Sequence, residues 1–85
     1  MPDKNPKAQI LVVDDNKITC EVIQRNLASE GYRVFVAQNV EDASAVLSRQ
    51  HIDLLITDYK MPRLTGLDMI QYARDHFQDL GIIML

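Results

Sequence analysis

The 85-residue sequence predicts an α/β fold, a doubly wound parallel sheet with helices on both of its faces. Short apolar runs rich in β-branched residues alternate with longer segments whose apolar residues recur at helical spacing. Two of these runs stop abruptly at aspartate, which is typical of a buried parallel strand that reaches the edge of the sheet. At about 30 residues per strand-helix-strand unit, the length allows one domain of four strands joined by three helical crossovers.

The chain begins with a polar segment, residues 1–8 (MPDKNPKA), which contains two prolines. We expect a disordered tail there, and ordered structure from Gln9 to Leu85. The run Ile10–Val13 is continuously apolar and precedes two aspartates. It is predicted to be the first strand, buried on both faces.

The next segment, Lys17–Glu30, is predicted to be the first helix. Asp15 or Asn16 suits its N-cap, and Gly31 suits the position after its last turn. One broad arc of this helix carries its apolar and small residues, which are Ile18, Thr19, Cys20, Val22, Ile23 and Leu27. The other arc carries the polar residues Glu21, Gln24 and Arg25.

A second strand, helix and strand follow in the same alternation. Tyr32–Ala37 is β-branched and aromatic, and its polar beginning suits a strand at the sheet edge. Asn39 is the expected cap of a helix over Val40–Gln50. Ile52–Thr57 is a third strand, which ends at Asp58 as the first strand ends at its own aspartates.

The last third of the chain completes the pattern. After the loop at 59–66 (YKMPRLTG), apolar residues at helical spacing predict a third helix over Leu67–Phe77. Gly81–Leu85 then begins a fourth strand of the buried type.

Charge and cysteine content exclude several classes of function. Nine basic and twelve acidic residues give a net charge of −3. Since the basic residues are scattered, direct nucleic-acid binding is not expected. Cys20 is the single cysteine and cannot form an internal disulfide. With no evident signal peptide or membrane span, this points to the cytoplasm without membrane attachment. Cys20 itself is expected to be a small buried apolar group.

Acidic residues follow two of the predicted strands. Asp14 and Asp15 close the first strand, and Asp58 closes the third. Ligands of open parallel sheets bind outside the carboxyl ends of the strands, so three carboxylates would converge there if these strands are neighbours. Like charges packed together need a compensating cation or proton. An all-oxygen site with few protein ligands suits Mg²⁺ bridged to a phosphate.

Each acidic group alone also fits a simpler interpretation. The run Asp14-Asp15-Asn16 could serve only to cap a helix, and Asp58 could be a turn residue, because these residue types are common where strands end. Their joint occurrence at two strand ends of one sheet favours a site.

Two motifs carry a resemblance to a known family. The sequences ILVVDDN (10–16) and LLITDYKMPRLTG (54–66) together resemble the receiver domain of two-component response regulators. The resemblance covers Gln9–Leu85 and implies the flavodoxin-like strand order 2-1-3-4-5. Because a complete receiver has five strands and five helices, we expect a C-terminally truncated receiver with order 2-1-3-4.

The resemblance implies a chemistry for the acidic residues. Asp58 corresponds to the phosphoacceptor, which takes a phosphoryl group from a histidine kinase or phosphotransfer protein. Asp15 corresponds to the direct Mg²⁺ ligand, Asp14 to an acid that acts mostly through a water on the metal, and the main-chain carbonyl of Lys60 to a further ligand. Such a module assists its own phosphorylation and is not a turnover enzyme.

Other residues receive structural or surface assignments. Met61, Pro62 and Gly66 are expected to shape the loop after the phosphoacceptor. His51 and His76 lack the spacing of metal ligands and are expected at the surface or at helix ends.

Two competing functions stay open at this point. One is a phosphorylation-inert receiver fragment that self-associates, since an exposed fourth strand and third helix predict a homodimer. The other is an aspartate-nucleophile phosphatase, which would favour D-x-D spacing where this chain has adjacent Asp14 and Asp15.

Overall fold

The computed structural model describes residues 7–58, 71, 73–77 and 79–84. One parallel sheet contains the strands β1 (Gln9–Val13), β2 (Arg33–Ala37), β3 (Leu54–Thr57) and β4 (Gly81–Met84). The helices are α1 (Lys17–Ser29) and α2 (Val40–Arg49). The strand order is β2-β1-β3-β4, which confirms the predicted order 2-1-3-4 and the edge position of β2.

β1 is a central strand, with β2 on one side and β3 on the other. Its last residue, Val13, lies opposite Ala37 of β2 and Thr57 of β3. The ladder continues one residue further, because the Asp14 amide donates to the Ala37 carbonyl at 3.1 Å and the Asp58 amide donates to the Val13 carbonyl at 2.9 Å. The residues that follow β1 and β3 are therefore held side by side.

The sheet separates two apolar layers. Ile10 and Val12 pack toward α1, against Cys20 among others. The alternate β1 residues face the other layer, whose buried members are Leu11, Val13, Ala37, Ala43, Leu47, Ile52, Leu55 and Ala73. Residues 10–13 are each at most 2% exposed, as predicted for a strand buried on both faces.

Local hydrogen bonds explain where the helices begin. Asn16 caps α1 by accepting from the Thr19 amide at 3.1 Å, and Asn39 caps α2 by accepting from the Asp42 amide at 2.7 Å. Gly31 follows α1 with a φ of 96°, a conformation that glycine adopts without strain. Both predicted caps and the glycine position are confirmed. Each helix ends one residue before its predicted end.

The predicted apolar arc of α1 is only partly buried. Cys20 is 1% exposed, whereas Ile18 is 70% and Val22 is 49% exposed. At about 100° per residue the predicted arc spans about 200°, which is wider than one contact with a sheet can cover. The predicted polar side of α1 is also wrong at one residue, Gln24. Although assigned to the polar side, it is half-buried, and its Nε2 donates to the Val34 carbonyl at 3.0 Å.

Two residues of the predicted tail contribute to the fold. The Lys7 amide donates to the Gly31 carbonyl at 3.1 Å, and the Ala8 carbonyl accepts from the Arg33 amide at 3.0 Å. The Lys7 ammonium also lies 5.5 Å from the centre of the Tyr32 ring. These contacts extend the association of the first and second strands by two residues toward the N-terminus.

Parts of other predicted elements lie outside the described residues. Of the predicted third helix, Gln71 and residues 73–76 are helical, and Ala73 packs in the layer beneath α2. Residues 1–6, the loop at 59–66, the start of the third helix and Leu85 lie outside the described part. Within that part, no helix has the length and apolar character needed to cross a membrane.

Candidate functional site

Three carboxylates meet at the carboxyl edge of the sheet. Asp14 and Asp15 directly follow β1, and Asp58 directly follows β3. One carboxylate oxygen from each lies within 4.8 Å of the other two. The strand order reverses between β1 and β3, because β2 lies on one side of β1 while β3 and β4 lie on its other side. The cluster thus occupies the position where open α/β sheets bind ligands.

The three carboxylates differ in their exposure to solvent. Asp14 is buried at 9% exposure, Asp58 is half-buried and Asp15 is exposed. The ladder explains the burial of Asp14, since its amide is still paired with β2. Its Oδ1 also accepts a hydrogen bond from the Asn16 amide at 2.9 Å. The cluster therefore has a buried inner member and an outer side open to solvent.

Burial and the neighbouring carboxylates both act on the protonation of Asp14. Burial raises the pKa of Asp14, and the Asn16 amide opposes this effect. The charges of Asp58 and Asp15 raise the pKa further, as does a hydrogen bond with the Asp15 side chain. Each of these raising effects favours an uncharged Asp14 or a compensating cation.

Helix capping does not account for the cluster. The cap of α1 is Asn16, and one Asp14 oxygen fixes the turn that precedes it. The convergence of Asp15 and Asp58 on Asp14 serves neither the cap nor this turn. The geometry thus favours a site over the capping interpretation.

Two buried donors lie directly behind the acidic residues. The Cys20 thiol donates to the Asp14 carbonyl at 3.4 Å and lies 3.9 Å from the Ala37 carbonyl. The Thr57 hydroxyl, fully buried, donates to the Asp58 carbonyl at 3.3 Å. Burial, followed by the charge of Asp14, raises the pKa of Cys20, so the group stays a protonated thiol at neutral pH.

Sequence reasoning missed the hydrogen bonds of these two donors. The predicted burial of Cys20 is confirmed, but an apolar interpretation overlooks its hydrogen bond. For Thr57 a signal was present, because it is the polar residue of an otherwise apolar strand and directly precedes Asp58.

Among the other residues singled out in the sequence, four lie outside the described part of the chain and two are exposed histidines. Lys60, Met61, Pro62 and Gly66 lie outside the described residues. His51 and His76 are exposed, as predicted. His51 pairs with Asp53 at 2.9 Å, just before β3 begins. The pair therefore lies at the amino ends of the strands, away from the acidic cluster.

The donor set suits a small hard cation. Its members are carboxylate oxygens, the ligand type that Mg²⁺ prefers, and one of them, Asp15, is exposed to solvent. Among the described residues, no second group of three metal-ligating side chains converges in this way.

Fold and site together define a class of protein, a doubly wound α/β domain with an acidic cluster at the point where the strand order reverses. The family follows from comparison with known sequences. The model of the response regulator receiver domain matches residues 10–85. The chain belongs to this family, which confirms the resemblance seen in the two motifs.

Curated relatives carry the same family name. The response regulator MprA of Mycolicibacterium vanbaalenii is 36% identical over 77 residues, which cover 91% of this chain and 33% of that protein. MprA of Mycobacterium leprae is also 36% identical over 77 residues, which cover 91% of this chain and 34% of that protein. The chain thus spans about a third of the length of these relatives.

Solved structures agree with the fold. The response regulator protein TrrA of Thermotoga maritima, in complex with Mg²⁺-BeF, is 35% identical with a TM-score of 0.84. The match covers 91% of this chain and 67% of TrrA. The chemotaxis response regulator CheY4 of Vibrio cholerae is 28% identical with a TM-score of 0.85, over 91% of this chain and 66% of CheY4.

Proposed function

We propose that this chain is the receiver module of a two-component phosphorelay and accepts a phosphoryl group on Asp58. The observation that carries the proposal is the convergence of Asp14, Asp15 and Asp58 at the carboxyl edge of the sheet. Asp58 is half-buried, so its carboxylate is accessible from solvent while its amide is fixed to β1.

The proposed reaction is a phosphoryl transfer between side chains. A carboxylate oxygen of Asp58 attacks phosphorus on the phosphohistidine of a partner. A phosphorus–oxygen bond forms, the phosphorus–nitrogen bond breaks, and its electron pair remains on the histidine nitrogen. The product is an acyl phosphate, whose ready hydrolysis suits a transient signal. The module therefore takes part in its own modification without acting as a turnover enzyme.

Asp14 and Asp15 provide the cation site of the proposal. Together with Asp58 and the main-chain carbonyl of Lys60, they would hold Mg²⁺; the contribution of Lys60 remains a prediction from the family resemblance. A bound Mg²⁺ would neutralise charge on the transferring group. The TrrA complex with Mg²⁺-BeF supports this choice of cation.

The proposed donor is a histidine kinase or a phosphotransfer protein in the cytoplasm. Ile18 and Val22, in the first two turns of α1, are exposed and offer an apolar surface on which such a partner can dock. The free thiol of Cys20 agrees with a reducing compartment.

Intact-mass measurement tests the phosphoacceptor. The protein is incubated with Mg²⁺ and acetyl phosphate, and we expect the mass of one phosphoryl group to be added. The Asp58→Asn variant should not gain it. Asp79→Asn, an isosteric change at an exposed position after the third helix, is the matched control and should be phosphorylated like the wild type. No added mass, or the same addition in Asp58→Asn, would refute the proposal.

A self-associating, phosphorylation-inert module is the second candidate. Among the described residues β4 forms one edge of the sheet, and Ile83 on it is 45% exposed. We propose that a homodimer forms through β4 and the third helix. Sedimentation equilibrium should then show a dimer at high micromolar concentration, weakened by Ile83→Thr and unaffected by Val22→Thr on α1. A wild-type monomer would contradict this.

A further inference from the structure

Behind the acidic cluster, the interior of the protein contributes one hydrogen-bond donor to the end of each of the two strands that carry it. The donors come from opposite faces of the sheet. Cys20 belongs to the apolar layer beneath α1. Thr57 belongs to the opposite face, because it lies in register with Val13 and two residues after Leu55, both of which are buried in the other layer.

Cys20 connects α1 with the ends of two strands. Its amide donates to the Asn16 carbonyl at 3.2 Å, so the first turn of the helix fixes the residue. Its thiol then reaches the Asp14 carbonyl at 3.4 Å, with the Ala37 carbonyl 3.9 Å away. Asp15 lies between Asp14 and the helix cap, so the orientation of the Asp14 peptide also decides where Asp15 points.

Thr57 acts on the end of β3. It is the last residue of β3, is fully buried, and its hydroxyl donates to the Asp58 carbonyl at 3.3 Å. Since the Asp58 amide is already bound to Val13, this second bond restrains the other side of the same residue. The backbone of Asp58 is then held at both its amide and its carbonyl.

We propose that Cys20 and Thr57 are positioning residues, which orient the backbone at Asp14–Asp15 and at Asp58 so that the carboxylates form a cation site. This inference rests on the Mg²⁺ site of the proposed function. Without the donors, the two carbonyls lose a buried partner, and the backbone at Asp14 and at Asp58 gains freedom to rotate. The repulsion among the carboxylates then spreads them apart, and a cation must draw them together again before it can bind.

The expected effect is a loss of Mg²⁺ affinity that follows the donor and not the volume of the side chain. A single hydrogen bond corresponds to about a three- to tenfold change in affinity. We expect losses of this size for Cys20→Ala and for Thr57→Val, which has nearly the shape of threonine but no donor. Cys20→Ser and Thr57→Ser keep a donor and should recover most of the affinity.

Isothermal titration calorimetry with MgCl₂ measures the affinity, and thermal unfolding of the same samples reports global stability. Ile52→Val is the matched control, because Ile52 is buried in the core just before β3, at the amino ends of the strands and away from the acidic cluster. It should lower stability without lowering Mg²⁺ affinity. Amide NMR shifts of the Mg²⁺-free proteins should change at 14–16 in the Cys20 variants and at 58 in the Thr57 variants.

The outcomes separate this inference from the function on which it rests. Wild-type protein that binds no Mg²⁺ overturns both. Wild-type binding together with unchanged affinity in Cys20→Ala and Thr57→Val overturns the positioning function alone. The positioning function is also overturned if each serine variant loses as much Mg²⁺ affinity as the alanine or valine variant at the same position. The same holds if Ile52→Val loses as much affinity as they do.

Discussion

Replacing Asp14 by asparagine removes a charge from the acidic cluster while keeping the shape of the side chain. The amide oxygen of asparagine can still accept the hydrogen bond from the Asn16 amide, so the turn before α1 is preserved. The variant therefore isolates the electrostatic cost of the cluster. We expect Asp14→Asn to be more stable than the wild type when no divalent cation is present.

The magnitude follows from the separation of the carboxylates. Ligand oxygens of Asp14, Asp15 and Asp58 lie within 4.8 Å of one another. Two unit charges at that distance repel by about 3.5 kcal/mol at an effective dielectric constant of about 20, and by about 0.9 kcal/mol in water. Asp15 is exposed and Asp58 half-buried, so most of the repulsion is screened. We therefore expect the free energy of unfolding to rise by about 1–3 kcal/mol.

The pH dependence has a definite sign. Burial raises the folded-state pKa of Asp14, and the nearby carboxylates raise it further, so the folded state favours the protonated form. This contribution to stability is present below the unfolded pKa of aspartate and is lost as the pH rises through the folded pKa. Without cation, the advantage of Asp14→Asn should therefore appear as the pH rises from acidic to neutral.

Urea unfolding followed by circular dichroism, in EDTA and in excess Mg²⁺, checks both expectations. A ligand at a hundred times its Kd stabilises a protein by about 2.7 kcal/mol. The wild type should gain stability of this order from Mg²⁺, and Asp14→Asn should gain less, so its advantage shrinks or reverses. A variant less stable than the wild type in EDTA, or an equal gain from Mg²⁺ in both proteins, would contradict these expectations.

Three further predictions concern stability outside the cluster. Asn39→Ala removes the cap of α2 and should lower the free energy of unfolding by about 1 kcal/mol in urea unfolding. Asn39→Ser keeps a side-chain acceptor for the Asp42 amide and should retain most of this stability. Gly31→Ala places a side chain at a φ of 96° and should cost about 1 kcal/mol or more by the same assay, because this conformation strains residues other than glycine. A hydrogen bond from the main-chain amide of Gln9, followed by the contact with His51, lowers the pKa of Asp53. The stability that the ionised Asp53 contributes is therefore present at neutral pH and is lost as the pH falls through its folded pKa. Asp53→Asn should therefore show a smaller loss of thermal stability than the wild type between neutral and acidic pH, and an identical loss would contradict this.

The elements that the sequence predicts well are those whose burial leaves a single interpretation. Residues 10–13 form an unbroken apolar run, which fits only a strand covered on both faces, and all four are buried. Asn39 precedes a helical pattern and caps it. Ile18 and Val22 show the limit, because helical periodicity defines an apolar arc but not which part of a wide arc faces the sheet.

The acidic site could be predicted only in part. Asp14 and Asp58 each follow a strand, but their meeting requires β3 to lie beside β1, and that order came from the family resemblance. Which carboxylate is buried depends on the hydrogen bond from Asp14 to β2, a tertiary contact without a sequence signal. The bond from Cys20 was missed because a thiol in a helical pattern looks like a small apolar side chain.

The register between β1 and β3 links the core to the site. Val13 and Thr57 lie opposite each other in the same buried layer, and the residues after them, Asp14 and Asp58, carry the carboxylates. A slip of one residue would move Asp58 by about 3.3 Å along the strand direction. It would also turn each β3 side chain to the other face and expose Leu55 to the wrong layer. Apolar packing therefore enforces the register that brings the carboxylates together, and core burial opposes the repulsion that a cation would relieve.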